Sequence, residues 1–301
     1  VLILGARGRF GRHALHAFAA QGWHVRALPR GASADAAHET VDADATDPDA
    51  VTRAAQGAAV IVQAANPPYL AWAMEIPRLT TALLAAARAS GATVLLPGNV
   101  YAYGTSMPER LTERTPVRPD TRKGRLRAEL EAALQAETAF QTIILRAGDF
   151  LDDRASGNWF DGQIAPPAAK GRVAYPGRLD AVHAWAWLPD LARAAEALAS
   201  RRNTLPRHAA YGFEGISLPG AELIEAMSQA LGKPLRPKGF PWPLLRLAAP
   251  FWPLGRELLE MRYLWDTPHR IDGAALREVL PDFRPTPLSE AMPRALAPIL
   301  G

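Results

Sequence analysis

The chain contains no cysteine. That excludes disulfides, thiol nucleophiles and thiolate metal sites together, and it suits a reducing compartment, so a cytoplasmic location is expected. No apolar run approaches the ~18–20 residues that span a bilayer, so neither a transmembrane segment nor a membrane partner is expected. Mean hydropathy is −0.08. Lysine is scarce: of 34 basic residues only four are Lys (Lys123, Lys170, Lys233 and Lys238). No dense Lys/Arg run interleaved with aromatics occurs, and no nucleic-acid partner is expected. The net charge of +4 favours the approach of an anionic small molecule. No secretory leader pattern precedes Val1, and the missing initiator Met implies native residues upstream.

What is present is apolar bulk with a strong rhythm. The 301 residues are 49% hydrophobic, enough for one large core or a core plus a lobe. Short β-like runs alternate with Ala-rich helical ones through the first half. Strands are read at Val1–Leu4, His24–Leu28, Glu39–Ala43, Ala59–Ala64, Thr93–Pro97 and Thr142–Arg146. Between them, helices are read at Phe10–Gln21, Pro48–Gln56 with Asp47 as N-cap, Tyr69–Ser90 closed by Gly91, and Thr121–Thr138. Such βαβ alternation predicts a parallel sheet covered on both faces. From Asp149 to Pro189, Gly, Pro and aromatics cluster without period; a helix at Asp190–Ser200, a strand at Arg207–Phe213 and a helix at Leu218–Leu231 follow. The fold class is therefore α/β: a doubly wound parallel Rossmann sheet with a smaller, irregular C-terminal lobe. Residues 1–150, completed by 181–213, form the nucleotide-binding core; 151–180 and 214–301 form the substrate-side lobe.

Gly5, Gly8 and Gly11 lie between the first strand and the first helix. A pyrophosphate at a helix N-terminus needs backbone N–H groups close by and no Cβ in the way, which that G-x-x-G-x-x-G spacing supplies. The loop residues Gly5, Arg7, Gly8, Phe10 and Gly11 are candidate cofactor ligands. The second strand ends in Leu28-Pro29-Arg30, without the acid that usually meets the ribose 2′-hydroxyl of NAD. Arg30 can meet a 2′-phosphate in a bidentate contact and Arg7 can add charge, which favours NADP over NAD; both can equally be solvated surface residues. Asp44 follows the third strand near the expected adenine. Ala64 and Ala65 follow the fourth, small enough to let a ribose lie against the backbone.

These residues resemble the extended and atypical short-chain dehydrogenase/reductase superfamily, of the NAD-dependent epimerase/dehydratase type. The resemblance runs over about Val1–Ser200. It rests on the glycine spacing, on Val60–Ala65, on Tyr103-Gly104 with Leu111-Thr-Glu-Arg-Thr-Pro116, on Ile144-Leu-Arg146-Ala-Gly-Asp149, and on Ala186-Trp-Leu-Pro-Asp190-Leu-Ala-Arg193. It implies substrate binding between the strand ends and the small lobe. It also implies a Tyr-x-x-x-Lys pair on one helix face, the Lys lowering the Tyr pKa and holding the nicotinamide ribose. Here the chain departs. Taking Glu129 as the family's Glu puts Thr121 at the Tyr position and Arg125 at the Lys position, and aligning back from Tyr103 puts Asn99 at the usual Ser/Thr. Asn99, Tyr101 and Tyr103 share a face if extended, so Tyr101 is the candidate substitute acid and Asn99 a carbonyl-polarising donor. Arg125 can hold the ribose or a phosphate but cannot serve as a base.

Other candidates carry blander expectations. Asp190 reads as the cap of the helix from Leu191, and His183 as a hydrogen-bonded structural histidine. Phe150, Trp159 and Phe160 line a pocket or fill the lobe. His13 and His16 share the first helix without a metal constellation. Asp152 and Asp153 read as loop carboxylates, and Met261–Trp265 as a segment buried against the core. Two functions follow. One is an NADP-dependent oxidoreductase or epimerase/dehydratase acting on a small carbonyl or hydroxyl substrate; the other is a non-catalytic NADP-binding sensor or interaction protein. The long helices suit a homodimer.

Overall fold

The computed structural model describes residues 1–29 and 38–300. Its strands are β1 (Leu2–Leu4), β2 (Arg26–Leu28), β3 (Glu39–Thr40), β4 (Val60–Gln63), β5 (Thr93–Gly98), β6 (Arg110–Leu111), β7 (Thr142–Arg146), β8 (Asp149–Leu151), β9 (Arg172–Tyr175), β10 (Val182–Trp187), β11 (His208–Gly212), β12 (Ile216–Pro219), β13 (Arg236–Gly239) and β14 (Arg270–Ile271). The main helices are α1 (Arg9–Ala20), α2 (Pro48–Ala54), α3 (Trp72–Ser90), α4 (Arg122–Gln135), α5 (Leu188–Ser200), α6 (Gly220–Leu231), α7 (Trp242–Ala248) and α8 (Pro253–Glu260).

Seven strands form the central sheet in the order β11-β7-β5-β4-β1-β2-β3, and every pairing in it is parallel. The order reverses at β1, between β2 and β4. Crevices at such a reversal, outside the carboxyl ends of the strands, are where open α/β sheets bind ligands. The strands look uniformly apolar because helices cover both faces, yet they still alternate. Leu2, Leu4, Ile61, Val94 and Ile144 pack toward α2, α3 and α4. Ile3, Val62, Leu95 and Ile143 pack toward α1 and α5, against Phe10, Phe18 and Leu198.

The expected helix ends hold closely. The Asp47 carboxylate accepts from the N–H groups of Asp49 and Ala50, and Gly91 closes α3 in the left-handed conformation with φ 68°. α3 itself begins at Trp72, after a 3-10 turn over Tyr69–Ala71. The aperiodic stretch hides β10, whose residues Val-His-Ala-Trp-Ala-Trp are nearly all buried. Alternation is invisible there because both faces are packed. β10 pairs antiparallel with β12 and parallel with β8, in a three-stranded sheet separate from the central one.

Asp190 is not a helix cap. α5 begins two residues earlier, at Leu188, with Pro189 in its first turn, where the missing proline N–H costs nothing. The buried Asp190 carboxylate instead accepts from the Thr286 N–H (2.5 Å), the Thr286 hydroxyl (2.9 Å) and Arg193 (2.7 Å), pinning the C-terminal segment to the core. Removing it leaves part-buried donors without their partner, which costs on the order of 1–3 kcal/mol. Asp190→Ala should therefore lower unfolding stability by about that amount in urea melts, while an exposed control such as Glu222→Ala should shift it by under ~0.5 kcal/mol.

Candidate functional site

The glycine loop closes the gap between β1 and α1 at the reversal point. Gly5 takes φ +75°, and a Cβ there would sit 2.6 Å from the Ala65 Cα at the end of β4. A Cβ on Gly11 would sit 2.2 Å from the Gly5 carbonyl oxygen. Both contacts are backbone against side chain, so neither can yield. Gly8 is the N-cap of α1; no side chain bonds the N–H groups behind it, and no acid lies in the first turn. Those N–H groups and the helix dipole suit an anion, so the cradle fits the pyrophosphate of a dinucleotide.

The other expected cofactor contacts fall out unevenly. Ala64 and Ala65 are buried beside Gly5. The Phe10 side chain packs into the core, so only its backbone faces the loop. Arg7 and Asp44 are exposed, and the Asp44 carboxylate accepts from the Thr46 N–H at 2.8 Å. Arg30 lies outside the described residues. One contact had no sequence signal: Arg9, in the first turn of α1, donates to the carbonyls of Ser156 (2.9 Å) and Gly157 (2.7 Å), clasping the loop after β8 onto the glycine-loop helix.

On α4 the residues of the expected register, Thr121 and Arg125, are not the ones that turn inward. Thr121 is the N-cap, its hydroxyl accepting from the Gly124 N–H at 3.0 Å. Arg125 is exposed and donates to the Asp120 carbonyl. The strip turned inward is Lys123, Arg127 and Glu131. Lys123 is fully buried, ion-paired with Glu257 and with Glu260 (2.7 Å), and lies 4.9 Å from the Tyr69 ring centroid. Arg127 lies over the Trp72 ring at 5.1 Å. Its Nε is sealed from solvent without a partner among the described residues, and burial lowers its pKa. Glu131 pairs with Arg146 of β7. The sequence could not choose between the two strips, because Arg125-x-x-x-Glu129 and Arg127-x-x-x-Glu131 have identical spacing. Burial decides it.

Asn99 and the tyrosines after β5 are not extended. The Asn99 Oδ1 accepts from the Tyr101 N–H at 3.0 Å, opening a 3-10 turn over Tyr101–Tyr103. Tyr101 and Tyr103 therefore diverge. The Tyr103 hydroxyl reaches toward the Thr112 carbonyl and Arg146. The Tyr101 hydroxyl meets that of Tyr69 at 3.0 Å. Burial pushes both of those phenols up, Tyr101 well above its ordinary value, so both stay protonated at neutral pH.

Aromatic groups of the C-terminal half face this corner. His183 bonds Asp149 at 2.8 Å and stacks on Trp265 with centroids 4.3 Å apart. The His183 Nδ1, the Trp185 and Trp265 indole N–H groups and the Tyr263 hydroxyl are buried without partners among the described residues. Phe160 and Trp159 pack edge-on against Trp185 and Trp265 respectively, and Trp265 is buried. Elsewhere His13, Asp152 and Asp153 converge with ligand atoms within 4.8 Å, a grouping of metal-ligand types that sequence spacing had not suggested. Arg12 and His13 both bond Asp152, and Arg294 lies 3.4 Å from Asp153, so the cluster is knit by its own ion pairs.

His269, beside His183, carries a pH dependence. Burial, and then the nearness of His183, push its pKa from 6.5 down to about 3. The unfolded chain thus binds a proton that the folded chain refuses, and stability is complete above pH 6.5 and lost as pH falls toward 3. Urea melts at pH 6.5 and pH 5 should show His269→Asn flattening the acid loss by about 2 kcal/mol, at ~1.4 kcal/mol per pH unit. Parallel curves would dismiss the assignment.

Comparison with known proteins accords with this geometry. No curated protein matches the chain by sequence. Among solved structures, the UDP-glucose 4-epimerase of Bifidobacterium longum, in complex with NAD+ and UDP, superposes with a TM-score of 0.76 at 17% identity, over 99% of this chain and 97% of that one. The UDP-Glc/GlcNAc 4-epimerase of Campylobacter jejuni gives 0.75 at 18%, over 99% and 98%. The dTDP-glucose 4,6-dehydratase DesIV of Streptomyces venezuelae, a double mutant with NAD and DAU bound, gives 0.74 at 17%, over 98% and 95%. These likenesses establish the shared fold. The family model for NAD dependent epimerase/dehydratase proteins matches residues 1–211. The chain belongs to the NAD-dependent epimerase/dehydratase family.

Proposed function

We propose that the chain is an NADP-preferring oxidoreductase or epimerase/dehydratase acting on a small, oxygen-rich carbonyl or hydroxyl compound. The carrying observation is the set of buried polar groups without partners beside the strand ends: Arg127 Nε, Tyr263 Oη, His183 Nδ1, and the Trp185 and Trp265 indoles. Each such group left unpaired costs on the order of 1–3 kcal/mol. Most are donors, so a ligand rich in acceptor oxygens relieves that cost. The solved relatives act on nucleotide sugars by name, which makes nucleoside-diphosphate sugars the first compounds to screen.

A bound nicotinamide supplies hydride transfer. In this reading Gly5, Gly8 and Gly11 seat the pyrophosphate against the α1 N-terminus, and Ala64 and Ala65 leave room for the ribose. Arg127, rather than Arg125, takes the ribose-holding role of the family lysine. Tyr101, kept protonated by burial, donates to the substrate oxygen, with Tyr69 behind it to share the proton. Asn99 holds the turn that aims Tyr101. Thr121 contributes by starting α4. The end of β2 offers no acid to NAD, and Arg7 and Arg30 provide the charge for a 2′-phosphate. The substrate lies between the strand ends and the lobe of residues 151–180 and 214–301, and a homodimer through α3 and α4 accompanies the reading.

One observation favours the non-catalytic alternative. Lys123 occupies the inward position four residues before Arg127, where the family pattern calls for Tyr, and it is locked by Glu257 and Glu260. Fluorescence titration followed by turnover with a carbonyl and nucleotide-sugar panel separates the two: saturable binding with no turnover across the panel establishes the sensor. For cofactor choice, Arg30→Ala should weaken NADP at least tenfold more than NAD, and equal losses refute the preference. Tyr101→Phe should cut kcat by about 10²–10⁴-fold with cofactor affinity intact; unchanged turnover removes Tyr101 from the chemistry.

A further inference from the structure

The α7–α8 hairpin collects most of the large apolar side chains that the described residues expose. Eight are exposed in all, and five of them lie within Leu244–Leu254: Leu244, Leu247, Phe251, Trp252 and Leu254. Phe251, in the turn between the helices, is 92% exposed and Leu247 77%. Two more, Leu70 and Met74, sit on the 3-10 turn and first turn of α3, against which α8 packs. Buried anchors hold the hairpin in place: the Trp242 indole donates to the Pro176 carbonyl at 2.5 Å, and Leu245 is buried. So dense a cluster of exposed apolar side chains is a contact surface rather than an accident of composition.

The charge around it selects the partner. From Lys233 to Arg256 the chain has five basic residues and no acid. Arg236, Lys238, Arg246 and Arg256 are exposed and have no ion pair among the described residues. An open groove of about 460 Å³ runs along the hairpin, walled by Phe240, Trp242, Pro243 and Leu247, with Arg246 and Arg262 at its polar side. Apolar wall, aromatic rim and guanidinium groups within one groove match an amphiphile with an anionic head. Tryptophan and arginine also suit the headgroup layer, where an apolar ring and a polar tip are both satisfied. A second copy of this chain suits the face poorly. An isologous contact sets each patch on its own image, so the unpaired arginines and lysines of one copy would face those of the other.

We infer that the α7–α8 hairpin is a membrane-docking surface, which inserts Leu247, Phe251, Trp252 and their neighbours into the interfacial layer of a bilayer and pairs its arginines and lysines with anionic lipid headgroups. The chain then lies on a membrane without crossing it, consistent with a short amphipathic element rather than a span. This reading is independent of whether the cleft is catalytic.

Vesicle co-sedimentation tests it with the whole chain. Vesicles of phosphatidylcholine with 30% phosphatidylglycerol should pull down at least tenfold more protein than phosphatidylcholine alone, and 0.5 M NaCl should remove most of that difference by screening. Phe251→Ser with Trp252→Ser, and separately Arg246→Glu with Arg256→Glu, should each lose binding at least tenfold; all four side chains are exposed, and unchanged thermal melts confirm that the variants fold. Equal sedimentation with both vesicle types, or none with either, overturns the proposal. So does a wild-type dimer by light scattering that Phe251→Ser/Trp252→Ser turns into monomer without any vesicle binding, since the face is then a homodimer interface.

Discussion

The close approach of Gly5 to Ala65 sets the geometry of everything around the cleft. At 2.6 Å from a Cβ to the Ala65 Cα, there is room for a backbone and nothing more. That contact draws the end of β1 against the end of β4 at the point where the strand order reverses. α1 must then leave the loop at once, which is why Gly11 has the Gly5 carbonyl where a side chain would be. The helix N-terminus is thereby aimed across the strand ends with its N–H groups uncapped. Arg9 and Arg12, one turn into α1, reach the segment after β8, so the same helix that faces an anion also anchors the loop that borders the cleft. A single unyielding backbone contact thus links the sheet, the anion cradle and the placement of the smaller lobe.

The second organising interaction is the buried Lys123. An ammonium with no solvent exposure is tolerable only where carboxylates replace its water, and Glu257 and Glu260 do so from one helix, α8. Losing both carboxylates leaves a buried charge uncompensated, at a cost of about 3–5 kcal/mol. The ion pairs join α4, which borders the cleft, to the C-terminal hairpin. On other elements the phenols of Tyr69 and Tyr101 share a hydrogen bond, and burial holds both protons in place at neutral pH.

The parts of this picture that depend on local rules were legible in the sequence. The glycine spacing, the Asp47 cap, the Gly91 stop and the parallel sheet each follow from backbone chemistry within a few residues. The strip of α4 that turns inward was not, because helical spacing repeats. Thr121, Arg125 and Glu129 satisfy the family's intervals as well as Lys123, Arg127 and Glu131 do, and only tertiary burial separates them. The setting of Tyr101 was not legible either. Its assumed extended geometry gave way to a 3-10 turn that Asn99 initiates, and its partner Tyr69 lies thirty-two residues away in sequence. β10 escaped because strands buried on both faces lose the alternation that reveals them, and Arg9 because a clasp onto carbonyl groups leaves no mark in a one-residue pattern.

The same reasoning explains why the C-terminal hairpin can be apolar outside without collapsing. Exposed leucine, phenylalanine and tryptophan normally fold inward, and the hairpin has a core within reach. It is held outward by three fixed points: Trp242 on the Pro176 carbonyl, Leu245 in the core, and the two carboxylates of α8 on Lys123. α8 is therefore divided by charge. Its inward side carries Glu257 and Glu260, the acids that end the basic run, and its beginning carries Leu254 outward beside Trp252. The acids are drawn to the buried lysine, which leaves the exposed Arg246 and Arg256 of the hairpin without ion-pair partners among the described residues. One internal ion-pair network thus has two effects: it neutralises Lys123 within α4 and draws the two acids of α8 away from the basic run of the hairpin.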